Sequence, residues 1–230
     1  MRLGLISDVH GNSPALAAVF AALWGEVDQV IFLGDICGYY PFVNECMALW
    51  DGARIVSVRG NHDHILLECL RQHIAPPAAY QARHGSALSR ALRSLDPAAA
   101  ALMQSWPTTR RLVVDGATLV LYHGAPWDPL EGRVYPDYSD WARFADVPGD
   151  IILLGNTHYP FHRRYHDKLI VNPGSVGQPR DRSDGACCAL LDVANRTVQQ
   201  RRVPFDCRRL IDDAAQHDPT VPYLVEVLHR

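Results

Sequence analysis

The stretch Gln29-Val30-Ile31-Phe32-Leu33-Gly34-Asp35-Ile36-Cys37 decides the fold. Its apolar half reads as a short buried strand bounded by glycine, and Asp35 stands where that strand stops. The same grammar recurs on both sides. Upstream, Leu3-Gly4-Leu5-Ile6 runs into Ser7-Asp8-Val9-His10, and downstream Ile55-Val56-Ser57-Val58 ends in Arg59-Gly60-Asn61-His62-Asp63. Ligands of α/β sheets bind outside the carboxyl ends of the strands, so three strands deliver Asp8, His10, Asp35, Asn61 and His62 to one sheet edge. Oxygen and imidazole donors gathered in this way suit borderline divalent metals, and a carboxylate has the two oxygens needed to bridge a pair of them.

The segments between these strands read as helices. Ser13 is the expected cap and Pro14 the first helical residue, after which Leu16, Val19, Phe20 and Leu23 share one face. Val43 to Trp50 supplies the next helix. Strand, helix, strand, helix, strand is the order of a parallel sheet with right-handed crossovers. From His64 to Trp106 the chain is alanine-rich and helical, with Asp96-Pro97 starting its last helix. His64, His73 and His84 lack mutual ligand spacing, and His64, beside the motif, is the nearest of them to a metal role.

The second half is richer in strands. Arg110–Val114 and Ala117–Tyr122 flank Asp115-Gly116, a dipeptide typical of a type I′ hairpin turn, and the second strand ends at His123-Gly124. A long polar and aromatic loop, 125–149, follows. Loops of that length in a compact domain are usually functional or disordered. Asp150 to Leu154 is then a buried strand ending in Gly155-Asn156-Thr157-His158. Phe161–Tyr165 pairs with Lys168–Val171, and Ala186–Asp192 with Thr197–Val203. The expected architecture is two stacked sheets in one domain, 1–205, with 206–230 as its peripheral tail.

A chain of 230 residues can bury one full α/β core and is not clearly long enough for two. With 48% apolar and 20% charged residues it has the composition of a folded protein rather than a disordered one. A net charge of −3 gives no global attraction to nucleic acid or to an anionic membrane. No apolar run approaches the roughly 20 residues of a membrane helix. Arg2 is followed by only a short apolar run and then Asp8, which makes a strand and not a signal peptide, so a cytoplasmic location is expected. The six cysteines, Cys37, Cys46, Cys69, Cys187, Cys188 and Cys207, have neither zinc-ribbon nor redox spacing and read as reduced buried thiols. Cys37, two residues from Asp35, is the one to watch.

Taken together, Asp8-Val9-His10, Gly34-Asp35, Gly60-Asn61-His62-Asp63, His123-Gly124 and Gly155-Asn156-Thr157-His158 resemble the calcineurin-like metallophosphoesterases, in that family's order. Asn172 to Arg180 is similar to its compact prokaryotic branch of phosphodiesterases and diadenosine tetraphosphatase relatives. The resemblance implies a four-layer α/β/β/α sandwich and two divalent metal ions, for which manganese, iron, zinc and nickel are all open. It makes Asp8, His10 and His158 ligands of one metal, Asp35 the bridge, and Asn61 and His123 ligands of the second. His62 would assist the leaving oxygen, with Asp63 orienting its ring. The implied reaction is in-line attack of a metal-bound hydroxide on a small phosphate ester. Asn156 departs from the pattern, which has histidine there. An amide oxygen is a weaker ligand than imidazole for a borderline ion, so a looser second site is expected.

Any one of these acids or histidines alone is most simply an ordinary cap or salt bridge. As a set they are not, because polar groups repeatedly buried at strand ends need a shared partner. Arg180 is the leading candidate for a phosphate contact, against an ion pair with Asp181 or Asp184. Arg133 and Tyr135 are candidates to close over a substrate from the long loop. Ser7 and Ser175 have no triad context, and the glycines match neither a Walker loop nor a dinucleotide fingerprint. Two functions remain: a metal-dependent phosphoesterase, and a non-catalytic scaffold or metal sensor on the same fold, as in a subunit of the retromer coat.

Overall fold

The computed structural model describes residues 1–52 and 54–229. Its strands and helices alternate first and cluster later. In chain order they are β1 (Arg2–Ile6), α1 (Ser13–Leu23), β2 (Gln29–Phe32), α2 (Val43–Ala48), β3 (Ile55–Ser57), α3 (Asn61–Gln72), α4 (Ala78–His84), α5 (Ala87–Ser94) and α6 (Pro97–Ser105). Then come β4 (Thr109–Val114), β5 (Ala117–Tyr122), β6 (Ile151–Leu153), β7 (Phe161–Tyr165), β8 (Lys168–Asn172), β9 (Ala186–Asp192), β10 (Thr197–Val203), α7 (Arg208–His217) and α8 (Tyr223–Glu226).

Two mixed five-stranded sheets result, ordered β10-β9-β1-β2-β3 and β4-β5-β6-β8-β7. Within the first, β1, β2 and β3 are parallel, and within the second β5, β6 and β8 are parallel. The sheets stack through one face of each. Leu3, Leu5 and Ile31 meet Leu119, Leu121, Ile151, Leu153, Leu169 and Val171 in a buried layer between them. Alternate residues face outward, as the period of a strand requires. On the first sheet Ile6, Val30 and Phe32 lie under the helices, packed with Leu16, Val19 and Phe20 of α1 and Leu66 of α3. On the second, Val120, Ile152 and Ile170 lie under the 125–149 segment, whose Trp141 and Phe144 sit in a single 3-10 turn. That segment is therefore an ordered cover, with Arg143 stacked on Trp127.

Local chemistry sets the element ends. Asn12, not Ser13, caps α1 by accepting from the Ala15 amide at 3.0 Å. The Ser13 hydroxyl is instead drawn to Glu45, 2.8 Å away. Asp96 caps α6 through the Ala98 amide at 2.7 Å. Asp115 and Gly116 both have positive φ, 48° and 78°, as a type I′ turn demands.

The 206–229 segment corrects the expectation of a peripheral tail. Leu210 and Leu224 are buried with Tyr39 and Tyr40, and the Tyr40 hydroxyl donates to the Leu224 carbonyl at 2.9 Å. Two aromatic residues directly after the Asp35 motif give α7 and α8 an apolar seat beside the strand ends.

Candidate metal centre

The parallel strands of both sheets end at the same edge of the sandwich. Asp8 and His10 follow β1, Asp35 follows β2, Asn61 and His62 follow β3, His123 follows β5, and Asn156 and His158 follow β6. Ligand atoms of Asp8, His10 and His158 lie within 4.8 Å of one another, as do those of Asp8, Asp35 and His123. A third such set joins His10, Asp35 and His62. Every residue of these three sets is buried.

Each imidazole is held by its far nitrogen. The Nδ1 atoms of His10, His123 and His158 lie 2.9, 2.7 and 2.8 Å from the carbonyls of Cys37, Leu33 and Gln178. A carbonyl only accepts, so each Nδ1 carries the proton and donates, which leaves Nε2 a bare lone pair. These lone pairs then face other acceptors: His10 Nε2 is 3.0 Å from His158 Nε2, His158 Nε2 is 3.2 Å from Asp8 Oδ1, and His123 Nε2 is 3.3 Å from Asp35 Oδ2 and 3.0 Å from Asn61 Oδ1. Asp8 Oδ1 is buried without a hydrogen-bond partner. Acceptors converging at these distances repel unless cations lie between them, so the donor set fits divalent metal.

The carboxylates are anchored by their other oxygens. Asp8 Oδ2 accepts from the Asn156 amide at 3.1 Å, and Asp35 Oδ1 from the His62 amide in the first turn of α3 at 2.9 Å. Without metal, protons must relieve the crowding. Burial opposes charging His123, but Asp35 and Asp8 hold it up at about 10. Burial, with the Asp63 and Asp8 charges, pushes Asp35 up to about 7 against the pull of His123. Asp8 is also buried, yet His158, His123 and His10 hold it well below the usual carboxylate range. Burial pushes His10 well down, and His158 repels its charge as well.

Backbone geometry shares in this placement. Asp8, His10, Asp35, Asn156 and His158 all have left-handed φ, 54°, 53°, 65°, 63° and 64°. Asp, Asn and His tolerate that region better than most residues, but it remains sparsely populated. Gly60 permits a close approach to the cluster, since a Cβ there would stand 2.1 Å from Asp35 Oδ1.

Two expected roles change. Asp63 does not touch the His62 ring. Its carboxylate accepts from the amides of Asp35, Ile36 and Gly60 at 2.8, 2.9 and 3.0 Å, with longer contacts to the Cys37 amide and thiol at 3.3 and 3.4 Å. It thus ties the loop after β2 to the start of α3, and it keeps Cys37 a neutral thiol, which burial already favours. The partner of His62 Nδ1 is the Tyr80 hydroxyl from α4. Burial, then the charges of His10 and His84, push His62 well down, so its ring is neutral.

Asn156 commits its NH2 group to the Gly132 and Leu130 carbonyls at 3.0 and 3.4 Å, which leaves Oδ1 as the free end of the amide. Arg180 makes neither of the ion pairs weighed against a phosphate contact. Its guanidinium donates to the phenol oxygens of Tyr39 and Tyr223, each at 3.0 Å, and Asp181 pairs with Arg202. Arg133 lines the cavity over the cluster together with Glu131, whereas Tyr135 packs on Tyr159 with ring centroids 5.8 Å apart and is not part of the lining. Of the three helical histidines, His84 and not His64 reaches this cavity. Burial, Arg83, Arg180 and Arg133 lower it to about 4. Tyr39, Tyr80, Arg83, His84 and Tyr223 carried no motif that sequence reading could use. Tyr39 alone had a signal, its place four residues after Asp35.

The fold and cluster define a metal-binding phosphoesterase scaffold, and comparison with known proteins agrees. The calcineurin-like phosphoesterase superfamily domain matches residues 1–196, and the chain belongs to that family. A metallophosphoesterase structure from Sphaerobacter thermophilus superposes with a TM-score of 0.79 at 27% identity, covering 100% of this chain and 99% of that one. A hypothetical protein from Pyrococcus horikoshii shares the fold, with a TM-score of 0.81 at 20% identity over 99% of this chain and 97% of that one. An uncharacterised protein of Methanocaldococcus jannaschii is 29% identical over 227 residues, 90% of this chain and 89% of its own length. Among the described residues no helix is long and apolar enough to cross a membrane.

Proposed function

We propose that this protein is a metal-dependent hydrolase of phosphate esters, acting by in-line attack of water on phosphorus. One observation carries the reading: three imidazole lone pairs and two carboxylates converge while a fourth imidazole, His62, stands beside them with a different anchor. Asp8, His10 and His158 would hold one divalent ion, and Asn61, His123 and Asn156 a second, with Asp35 between them. Such ions supply Lewis acidity and a lowered water pKa when bound. The weaker amide ligand at Asn156 makes the second site the looser one.

The residues do the rest. With Nδ1 accepting the Tyr80 O–H, His62 carries its proton on Nε2, which faces the cluster 3.9 Å from Asp35 Oδ2. That Nε2–H donates a hydrogen bond to the leaving oxygen as the P–O bond breaks, the proton lost by the attacking water ends on that oxygen, and no covalent enzyme intermediate is needed. Gly38 lets the loop pass close to both rings, a Cβ there standing 2.6 and 2.8 Å from the Nδ1 atoms of His10 and His62.

A scaffold on the same fold is the alternative. Asn156 favours it mildly, whereas a buried His62–Tyr80 pair has no use in a scaffold. A small soluble phosphate ester as substrate, without stable nucleic-acid binding, belongs to the same reading. So does a cytoplasmic setting, which suits six free cysteines. Turnover of bis(p-nitrophenyl) phosphate and p-nitrophenyl phosphate with manganese, compared between wild type and His62→Ala, decides between the two. Absence of turnover with every divalent metal rejects the enzyme.

A further inference from the structure

The cluster opens outward through two contiguous cavities. The inner one, about 180 Å3, is lined by Asp35, Asn61, His62 and Asn156 and by Arg133 and Glu131. The outer one, about 330 Å3, is lined by Tyr39, Arg83, His84, Tyr159, Arg180 and Tyr223. Tyr39, Arg83, His84 and Arg180 line both, so the two adjoin.

His62 lines the inner cavity, beside two of the shared residues. Its ring is 5.1 Å from that of His84 and 5.3 Å from that of Tyr39, both walls of the outer cavity. A proton donor faces the leaving oxygen, so the leaving group and not the attacking water extends outward. What it meets there is cationic. Arg83, Arg133 and Arg180 all line the inner cavity, and Arg83 and Arg180 the outer one as well. Arg180 is held by two neutral phenols through Nε and one N–H of Nη2. A guanidinium has five N–H donors, so three of its donors have no partner among the described residues. A partly desolvated cation kept in place by phenols alone lacks an anion, and its planar fork matches a phosphate. Glu131 is the one carboxylate of the inner lining apart from Asp35, and the outer lining has none.

We propose that the outer cavity is a second-anion subsite, in which Arg83 and Arg180 bind a phosphate carried on the leaving group. This rests on the phosphoesterase reading and narrows it: the substrate class is a compound with two or more phosphate groups. Water's oxygen bonds to the phosphorus at the cluster, the P–O bond to the leaving group breaks with its oxygen hydrogen-bonded by His62 Nε2–H, and the proton lost by the water ends on that leaving oxygen. The fragment released keeps the second phosphate. Tyr39, Tyr159 and Tyr223 wall the subsite with apolar ring faces, and Tyr39 and Tyr223 steady the guanidinium.

Calorimetry on the manganese-loaded protein, with 1,3-propanediol bisphosphate and 1,3-propanediol monophosphate as probes, tests this. The bisphosphate should bind at least about tenfold more tightly, as added charge-assisted hydrogen bonds allow. Arg83→Ala should cut that ratio to about threefold or less, and Arg180→Lys, which keeps the charge but not the fork, should lower it in part. Arg93→Ala removes an exposed arginine elsewhere and should leave the ratio in place. Circular dichroism checks that each variant is folded. Equal affinity for the two probes, or a preference that survives Arg83→Ala, overturns the subsite. A preference found in a protein that turns over neither p-nitrophenyl ester with any divalent metal supports the subsite and rejects the hydrolase reading alone.

Discussion

Tyr80→Phe isolates the hydroxyl that faces His62. The ring keeps its edge contacts, with centroids 5.4 Å from His62 and 4.6 Å from His84, so the substitution removes one oxygen and little packing. The lost interaction is the bond to Nδ1, which leaves the imidazole proton free to sit on either nitrogen. A net hydrogen bond between neutral groups is worth about 0.5–1.5 kcal/mol, and about 1.4 kcal/mol is tenfold in rate. The turnover of an alkyl phosphate ester, whose leaving oxygen needs a proton, should therefore fall about 2- to 13-fold. A p-nitrophenyl ester leaves as a stable anion and should be slowed far less. Steady-state kinetics on the two esters, side by side with manganese, gives the ratio. An equal fall on both would refute the positioning role and reduce Tyr80 to a structural residue.

Asp63→Ala strands the amides of Asp35, Ile36 and Gly60, and should lower unfolding free energy by about 3 kcal/mol or more in urea melts, with loss of tightly bound metal. Asn156→His should tighten the second metal site and make the two affinities more equal by calorimetry; a weaker second site would show that holding the 125–149 segment is the residue's main task. In the metal-free protein His123 and Asp35 have raised pKa values, about 10 and about 7, so at these two groups the folded state binds more protons than the unfolded one. Their contribution is complete below the unfolded values and is lost as pH rises, through about 7 for Asp35 and about 10 for His123. The thermal midpoint of chelator-treated protein should accordingly fall from pH 6.5 to 9, while metal affinity rises with pH. His84, lowered to about 4, has the opposite sign: the unfolded chain binds the extra proton between pH 4 and 6.5, so this residue costs stability as pH falls through that window, and NMR titration should find it neutral at pH 7.

Much of this fold was legible because strand signals and ligand motifs coincide. Gly34-Asp35 and Gly155-Asn156 each follow an apolar run, and hydrophobic burial fixes where such runs end. That coincidence put Asp8, His10, Asp35, Asn61, His123 and His158 together from the sequence, and the structure brings them to one edge. The errors have a common cause in contacts made across the chain. Asp63 sits next to His62 in sequence, but adjacent residues on a helix point apart. Its carboxylate reaches back to the loop after β2, and a tyrosine 18 residues on meets the imidazole instead. Arg180 reads as a phosphate contact from sequence alone; what stays hidden is its anchor, Tyr223 of the 206–229 segment, which has no motif of its own. The cover made by 125–149 was equally hidden, since its aromatic residues follow neither strand nor helix period.

The five left-handed positions among the candidate ligands have a bearing on how the protein could be altered. Unusual backbone angles at functional residues cost of the order of 1–3 kcal/mol each, and net stability of a domain is only about 5–15 kcal/mol. Glycine at one of them, such as Asn156→Gly, removes that conformational penalty along with the ligand. Screens for heat resistance alone would therefore drift toward inert chains, and selection for durability has to be coupled to retention of bound metal.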